Sequence, residues 1–229
     1  MKRSQINDIM NAADDLIRSH GFSLPPFAYW SVDEFQARKD DAKTLIDCRC
    51  GWDITDYGAG QFDTIGLFLF TLRNGRLSDL EGGRGIGYAE KLLISRQDQL
   101  SPMHTHIIKT EDIINRGGST LIVELFGSDD RGNFAEDRGG VVYCDGIRRE
   151  YAAGDKLALV PGESVTLMPG DWHAFWGEGG DVLIGEVSTV NDDETDNLFR
   201  EPIGRFANIE EDVDPMHLLV SDYASWLNY

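Results

Sequence analysis

The chain has 229 residues, 41% of them hydrophobic and 27% charged, which is the profile of a globular domain rather than a disordered or bilayer-embedded chain. Its formal net charge of -19 repels phosphate backbones and excludes a nucleic-acid-binding role. No apolar run approaches the ~20 residues that cross a bilayer, so no membrane partner is expected either.

The predicted elements begin with an amphipathic helix from Ser4 to His20, with Ile6, Ile9, Met10, Ala13, Leu16 and Ile17 on one stripe. Ser4 or Asn7 is expected to cap it, and Gly21 to end it. The N-terminus runs into this helix and not into a continuous apolar segment, so a cytoplasmic protein is expected. The odd set Cys48, Cys50 and Cys144 fits reduced thiols there. Pro25-Pro26 forces an extended connection. Ser31-Val32-Asp33-Glu34 then opens a short helix with a capping box, stapled by Trp30 and Phe35.

From about Thr44 the pattern changes to short strands between Gly-rich turns. The candidate strands are 64–72, 89–95, 99–107, 120–126, 141–143, 155–160, 164–168, 173–176 and 182–187. Such spacing predicts a mainly β, antiparallel sandwich or barrel. No linker divides the chain, so one domain is expected. It comprises a helical extension (1–43), a barrel core (44–190), and a mouth loop with a last helix (191–229) starting at Asp214-Pro215 and ending near Trp226.

Met103-His104-Thr105-His106 carries the chemistry. Residues two apart on a strand share a face, so His104 and His106 reach one point. Glu111 follows five residues after His106, and Pro169-Gly170-Asp171-Trp172-His173 delivers a third imidazole from a later strand. Three neutral nitrogens and one carboxylate suit a divalent first-row ion: Mn2+ or Fe2+, with Zn2+ or Co2+ also able to bind. A lone His-x-His pair is weak evidence for a metal; four ligands at two spacings are much stronger. Carboxylates inside apolar strands are costly unless they face a cavity, a metal or a partner. Glu186 and Glu124 both sit in such strands and are the candidate bases, and Lys109, between the ligands, is a candidate assistant. Asp193, Asp196 and Arg205 are candidate substrate-binding groups from the mouth loop, and Trp30 a candidate apolar wall.

His104-x-His106-(x)4-Glu111-(x)6-Gly118 resembles the first motif of the cupin superfamily, and Gly162-(x)7-Gly170-(x)2-His173 the second. Asp98, Pro169 and Gly177 depart from the usual residues at or beside turn positions, not at the ligands. Further stretches, among them Gly51-Trp52-Asp53-Ile54-Thr55-Asp56-Tyr57-Gly58, Lys109-Thr110-Glu111-Asp112-Ile113-Ile114-Asn115-Arg116-Gly117-Gly118 and Glu186-Val187-Ser188-Thr189, are similar to the D-lyxose ketol-isomerase family from about residue 20 to 210. The resemblance implies a jelly-roll-like cupin barrel and a metal-dependent aldose–ketose isomerase. It would interconvert D-lyxose with D-xylulose and D-mannose with D-fructose through a cis-enediol. It also raises Lys109 and Glu186 as catalytic residues. The rival readings are an Fe(II) cupin dioxygenase and a non-catalytic sugar-binding cupin. A homodimer through exposed sheet edges is expected.

Overall fold

The protein is described here by a computed structural model that covers residues 1–227. Helix α1 (Arg3–Ser19), a 3-10 turn (Pro26–Tyr29), α2 (Val32–Arg38) and α3 (Lys43–Asp47) precede the sheets. Then come β1 (Gly51–Thr55), β2 (Leu67–Arg73), α4 (Leu77–Glu81), β3 (Tyr88–Ser95), β4 (Ser101–His106) and β5 (Glu111–Phe126). They are followed by β6 (Gly140–Cys144), β7 (Ile147–Tyr151), β8 (Asp155–Leu159), β9 (Ser164–Leu167), β10 (Trp172–Thr189), β11 (Asn197–Phe199) and α5 (Tyr223–Trp226).

Two strands, β5 and β10, are long enough to bend and belong to two sheets at once. The second half of β10, from Val182, lies between β3 and the first half of β5, within the order β1-β2-β3-β10-β5-β9-β6-β7. The first half of β10 pairs with β4, which carries β11, and with the second half of β5, which carries β8. All these strand pairings are antiparallel. The bend falls at Gly117-Gly118 on β5 and Gly179-Gly180 on β10, all with positive φ. A Cβ on Gly118 would meet the Asp181 carbonyl oxygen at 2.2 Å, so only glycine fits this close approach.

The two sheets face each other across one core. Leu67 and Leu69 of β2, Leu93 of β3, Ile113 of β5 and Ile184 of β10 meet Leu121, Val123, Leu157 and Phe175 there. On the other face of the first sheet, α1 lays its stripe on Trp52, Ile54, Phe68, Phe70, Leu92 and Ile94. This double coverage is why Leu67–Thr71 is buried without alternation. A third cluster joins Phe35 and Ile46 to Leu218, Val220 and Tyr223.

Several local expectations change. Lys2, not Ser4, is the N-cap of α1, and it makes no side-chain cap. Ser4 and Asn7 instead bond to Asp212, Asp214 and Met216, and the Asp212 carboxylate takes the Ser4 N–H from across the chain. The Ser31–Glu34 capping box forms, with the Trp30 and Phe35 rings 5.3 Å apart. Strands 173–176 and 182–187 are one strand, and β5 begins nine residues before the expected 120. β1 and β11 escape the sequence reading. β7 escapes it because Ile147-Arg148-Arg149-Glu150 is an exposed edge, turned back by Asp145-Gly146 with both φ positive. The expected helix from Pro215 is only α5, because Leu219 and Val220 run extended beside Trp52 and satisfy its backbone. The sheet therefore begins at Gly51, and β11 is drawn from the expected mouth loop; Asn228 and Tyr229 lie outside the described residues.

Candidate metal centre and its charged wall

β4 presents His104 and His106, the loop after it ends at Glu111, and β10 presents His173 directly across from His104. Their ligand atoms lie within 4.8 Å of one another. The His104 Nδ1 lies 2.7 Å from the Pro102 carbonyl and the His173 Nδ1 3.1 Å from the Asp171 carbonyl. With Nδ1–H donating to those oxygens, each Nε2 is left with its lone pair toward the cavity. Glu111 Oε1 lies 3.2 Å from His106 Nε2 and 3.1 Å from His173 Nε2, yet none of these three atoms has a hydrogen-bond partner. Three imidazole nitrogens and a carboxylate oxygen converging in a buried pocket are the arrangement a cation relieves. The donor set therefore fits a divalent metal.

Electrostatics agree. Burial, with His173 and His106 as neighbours, pushes the His104 ring well below its usual range. Burial and Lys109 lower His106. Both rings are thus held neutral, as ligands must be. Burial pushes the Glu111 carboxyl up, but Lys109, His106 and His173 outweigh it and hold the group well below the usual range.

From Glu111 outward, a ladder of alternating charge runs along one wall of the cavity. Lys109 Nζ meets Glu111 Oε2 at 2.7 Å, Glu186 Oε1 at 2.9 Å and Asn191 Oδ1 at 3.2 Å. Lys91 Nζ follows, 3.4 Å from the same Glu186 oxygen and 3.8 Å from Asp193. Arg205 Nη2 then lies 3.3 Å from Asp193 and 2.7 Å from Asp53. Burial lowers the Lys109 ammonium, but Glu111 and Glu186 outweigh it and raise it. Burial pushes Asp193 up, and Arg205, Lys91 and Lys109 outweigh it and hold it far down. Asp53, also buried, is pushed up despite Arg205. The cavity enclosed by these groups is about 40 Å³.

Nine of the eleven residues singled out from the sequence lie at or beside this centre or somewhere on its frame; two do not. Glu186, Lys109, Asp193 and Arg205 line the cavity with His104, His106 and Glu111, and His173 closes the ligand set. Asp196 does not line it. Its carboxylate accepts from the backbone N–H groups of Ile107, Ile108 and Lys109, so it shapes the loop that delivers Lys109 and Glu111. Glu124 is a correction: Leu121, Val123 and Leu125 point inward, so period two turns Glu124 outward, 29% exposed and 3.9 Å from Lys156. Trp30 is the other: it packs on Phe35 and Arg38 in the outer helical layer. The sequence reading missed Lys91, Asp53 and Tyr57. Lys91 carried the same signal as Glu186, a charge inside an apolar strand two residues from Leu93.

A family model described as D-lyxose isomerase matches residues 1–223. A D-lyxose/D-mannose isomerase of Serratia proteamaculans is 46% identical over 99% of this chain and 100% of the relative. Another, of Escherichia coli O157:H7, is 45% identical over 97% and 98%. Among solved structures, the L-ribose isomerase of Acinetobacter sp. DL28 aligns with a TM-score of 0.62 at 16% identity, covering 92% of this chain and 98% of that one. That of Cellulomonas parahominis aligns at 0.60 and 15% over the same shares. At these identities the structural matches establish a shared fold.

Proposed function

This chain belongs to the D-lyxose isomerase family, and from that premise we propose that it interconverts D-lyxose with D-xylulose and D-mannose with D-fructose through a cis-enediol. The observation that carries the reading is the unpartnered donor set of His106, His173 and Glu111, with the buried Glu186 a few ångströms beyond it on the same wall.

His104, His106, Glu111 and His173 would hold the divalent ion, Mn2+ as the family resemblance leads one to expect, with Co2+, Fe2+ or Zn2+ as alternatives. Such an ion supplies Lewis-acid charge beside the reacting carbonyl. Glu186 takes the proton from C2 of the open-chain aldose and returns it to C1, while the hydroxyl proton of O2 passes to O1. Its Oε1 is fixed by Lys109, which leaves Oε2 to face the carbon acid. Lys109 is itself fixed by Glu111 and Asn191 and serves as a positive charge that holds the base in place. One nitrogen of Arg205, Nη1, is buried without a partner and is available, with Asp193, to the sugar's distal hydroxyls. The free thiols of Cys48, Cys50 and Cys144 fit a cytoplasmic site of action. The open edge of β7, with Ile147 70% exposed, fits a homodimer contact. No helix among the described residues is long and apolar enough to cross a membrane.

The test is a matrix of Mn, Co, Fe, Zn or no metal against D-lyxose, D-mannose, D-xylose and D-ribose, with ketose as the readout. Ketose forms only with metal, and best from D-lyxose and D-mannose. Oxygen uptake in its place identifies a dioxygenase. Mannose binding with no ketose in any arm identifies a binding protein. Deuterium from C2 washes into solvent if the enediol forms; full retention at C1 identifies a hydride shift.

A further inference from the structure

The two lysines on the charged wall differ in one respect. Lys109 meets three acceptors between 2.7 and 3.2 Å, one for each of its N–H groups. Lys91 is 2% exposed, yet no hydrogen bond holds its ammonium among the described residues, and its ion pairs are longer, at 3.4 and 3.8 Å. A buried ammonium with unspent donors is costly.

Lys91 is not the nearest cation to either of its carboxylate partners. Glu186 already has Lys109 at 2.9 Å, and Asp193 already has Arg205 at 3.3 Å. Both partners are nearer than Lys91. Nor is the lysine placed by its flexible tip alone. It is paired across β3 and β10 with Glu186, on the inner face that also carries Leu93, so the backbone register fixes where its stem enters the cavity. Lys91 lines the cavity, and its ammonium has donors to spare.

From this geometry we infer that Lys91 is a specificity-determining residue that donates a hydrogen bond to the sugar's C3 hydroxyl. The inference rests on the isomerase reading for the placement of C1 and C2. With those carbons between the ligand set and Glu186, the next cation along the wall is Lys91, and the next oxygen along the sugar is O3. D-lyxose and D-mannose carry that hydroxyl on the same side. D-arabinose differs from D-lyxose at C3 alone. Its hydroxyl turns away from Lys91, and the ammonium then stays unpaired beside the bound sugar. A site built to hydrogen-bond a hydroxyl discriminates strongly against a ligand that cannot offer it.

Two measurements on the metal-loaded protein test this. The first compares kcat/KM for D-lyxose and D-arabinose in the wild type and in Lys91→Met. The lyxose value falls by about 10- to 100-fold and the arabinose value by less than about threefold, so the preference collapses. The second measures calorimetric binding of D-mannitol, which carries the C3 hydroxyl but no carbonyl to react. Its affinity falls by about tenfold in the variant. Equal losses on the two sugars with unchanged mannitol affinity overturn the inference and leave Lys91 as a support for Glu186. If Lys91→Met does not fold, Lys91→Gln, which keeps one N–H donor, is read by the same two ratios, with a smaller collapse expected and no collapse counting against. If the wild type forms no ketose from any aldose, the isomerase reading fails by itself, while the mannitol comparison still decides whether Lys91 contacts a polyol.

Discussion

Glu186 and Glu124 are alike in sequence, each a carboxylate inside an apolar strand, and the tertiary structure separates them. Glu186 faces Lys91 across the β3–β10 pairing, and both are buried on the inner face. Glu124 shares its strand with inward-facing Leu121, Val123 and Leu125 and so faces out toward Lys156. Sequence alone does not tell which of two period-two faces is inside when both faces of a strand are mostly apolar. The contrast is testable in one pair of variants. Glu186→Gln lowers kcat by about 10²- to 10⁴-fold while mannitol still binds, as loss of a general base requires. Glu124→Gln stays within about twofold of wild type in kcat, as a surface change does. A large loss in Glu124→Gln would return the base assignment to that residue. The candidate metal-binding cluster was legible because most of its geometry is local: His104 and His106 share one strand face, and Glu111 follows within a loop. Lys91 was passed over although it carries the same in-strand charge signal as Glu186, because that signal alone does not separate a lysine facing a cavity from one snorkelling to solvent.

At the scale of elements, the site depends on two bent strands. β10 carries His173 in one sheet and Glu186 in the other, so the bend near Gly179-Gly180 decides how ligand and base converge. β5 carries Glu111 at its start and turns at Gly117-Gly118. Read as sequence, these glycine pairs look like chain reversals between separate strands, and only the first half of each signal is correct. The strands continue through them because each pair packs against the other: Gly118 against Asp181, and Gly180 against Ser119. Gly118→Ala places a methyl 2.2 Å from the Asp181 carbonyl oxygen at φ +96°. It destabilises the fold by at least about 2 kcal/mol in urea denaturation, from strain plus the clash. Gly146→Ala, in the β6–β7 turn with nothing within 4 Å of the new methyl, costs only about 1 kcal/mol. Equal costs would show that the bend is not the tight point.

For the whole molecule, the ends of the chain close on each other. Arg3 is fully buried and bonds Asp222 with two nitrogens, at 2.9 and 3.0 Å, and Glu211 with two, at 2.8 and 2.7 Å. Burial lowers the Arg3 guanidinium, and the bonds to Glu211 and Asp222 outweigh it and raise it. This pairing fastens α1 to the segment that lies along β1, and so holds the helical layer over the outer face of the first sheet. Arg3→Ala leaves the buried Asp222 carboxylate with one strong partner fewer and costs about 3 kcal/mol. For a domain of this size that lowers Tm by roughly 6–12 °C. The ligand set lies in the other core, so metal content at 20 °C is unchanged. A Tm within about 2 °C of wild type would show that the clasp contributes little.

By itself the sequence determined the mainly β class, the His/Glu cluster that could hold a metal, the flanking helix α1 and the capping box of α2. Each is written in contacts between residues a few positions apart, or in motif spacings that survive any detail of packing. The tertiary structure decided which carboxylate is inside, which lysine has donors to spare, how the C-terminal segment joins β1, and where the two sheets exchange strands. Those are properties of long-range register and double-sided burial. One residue of register moves a side chain from cavity to solvent, and no local pattern records that choice.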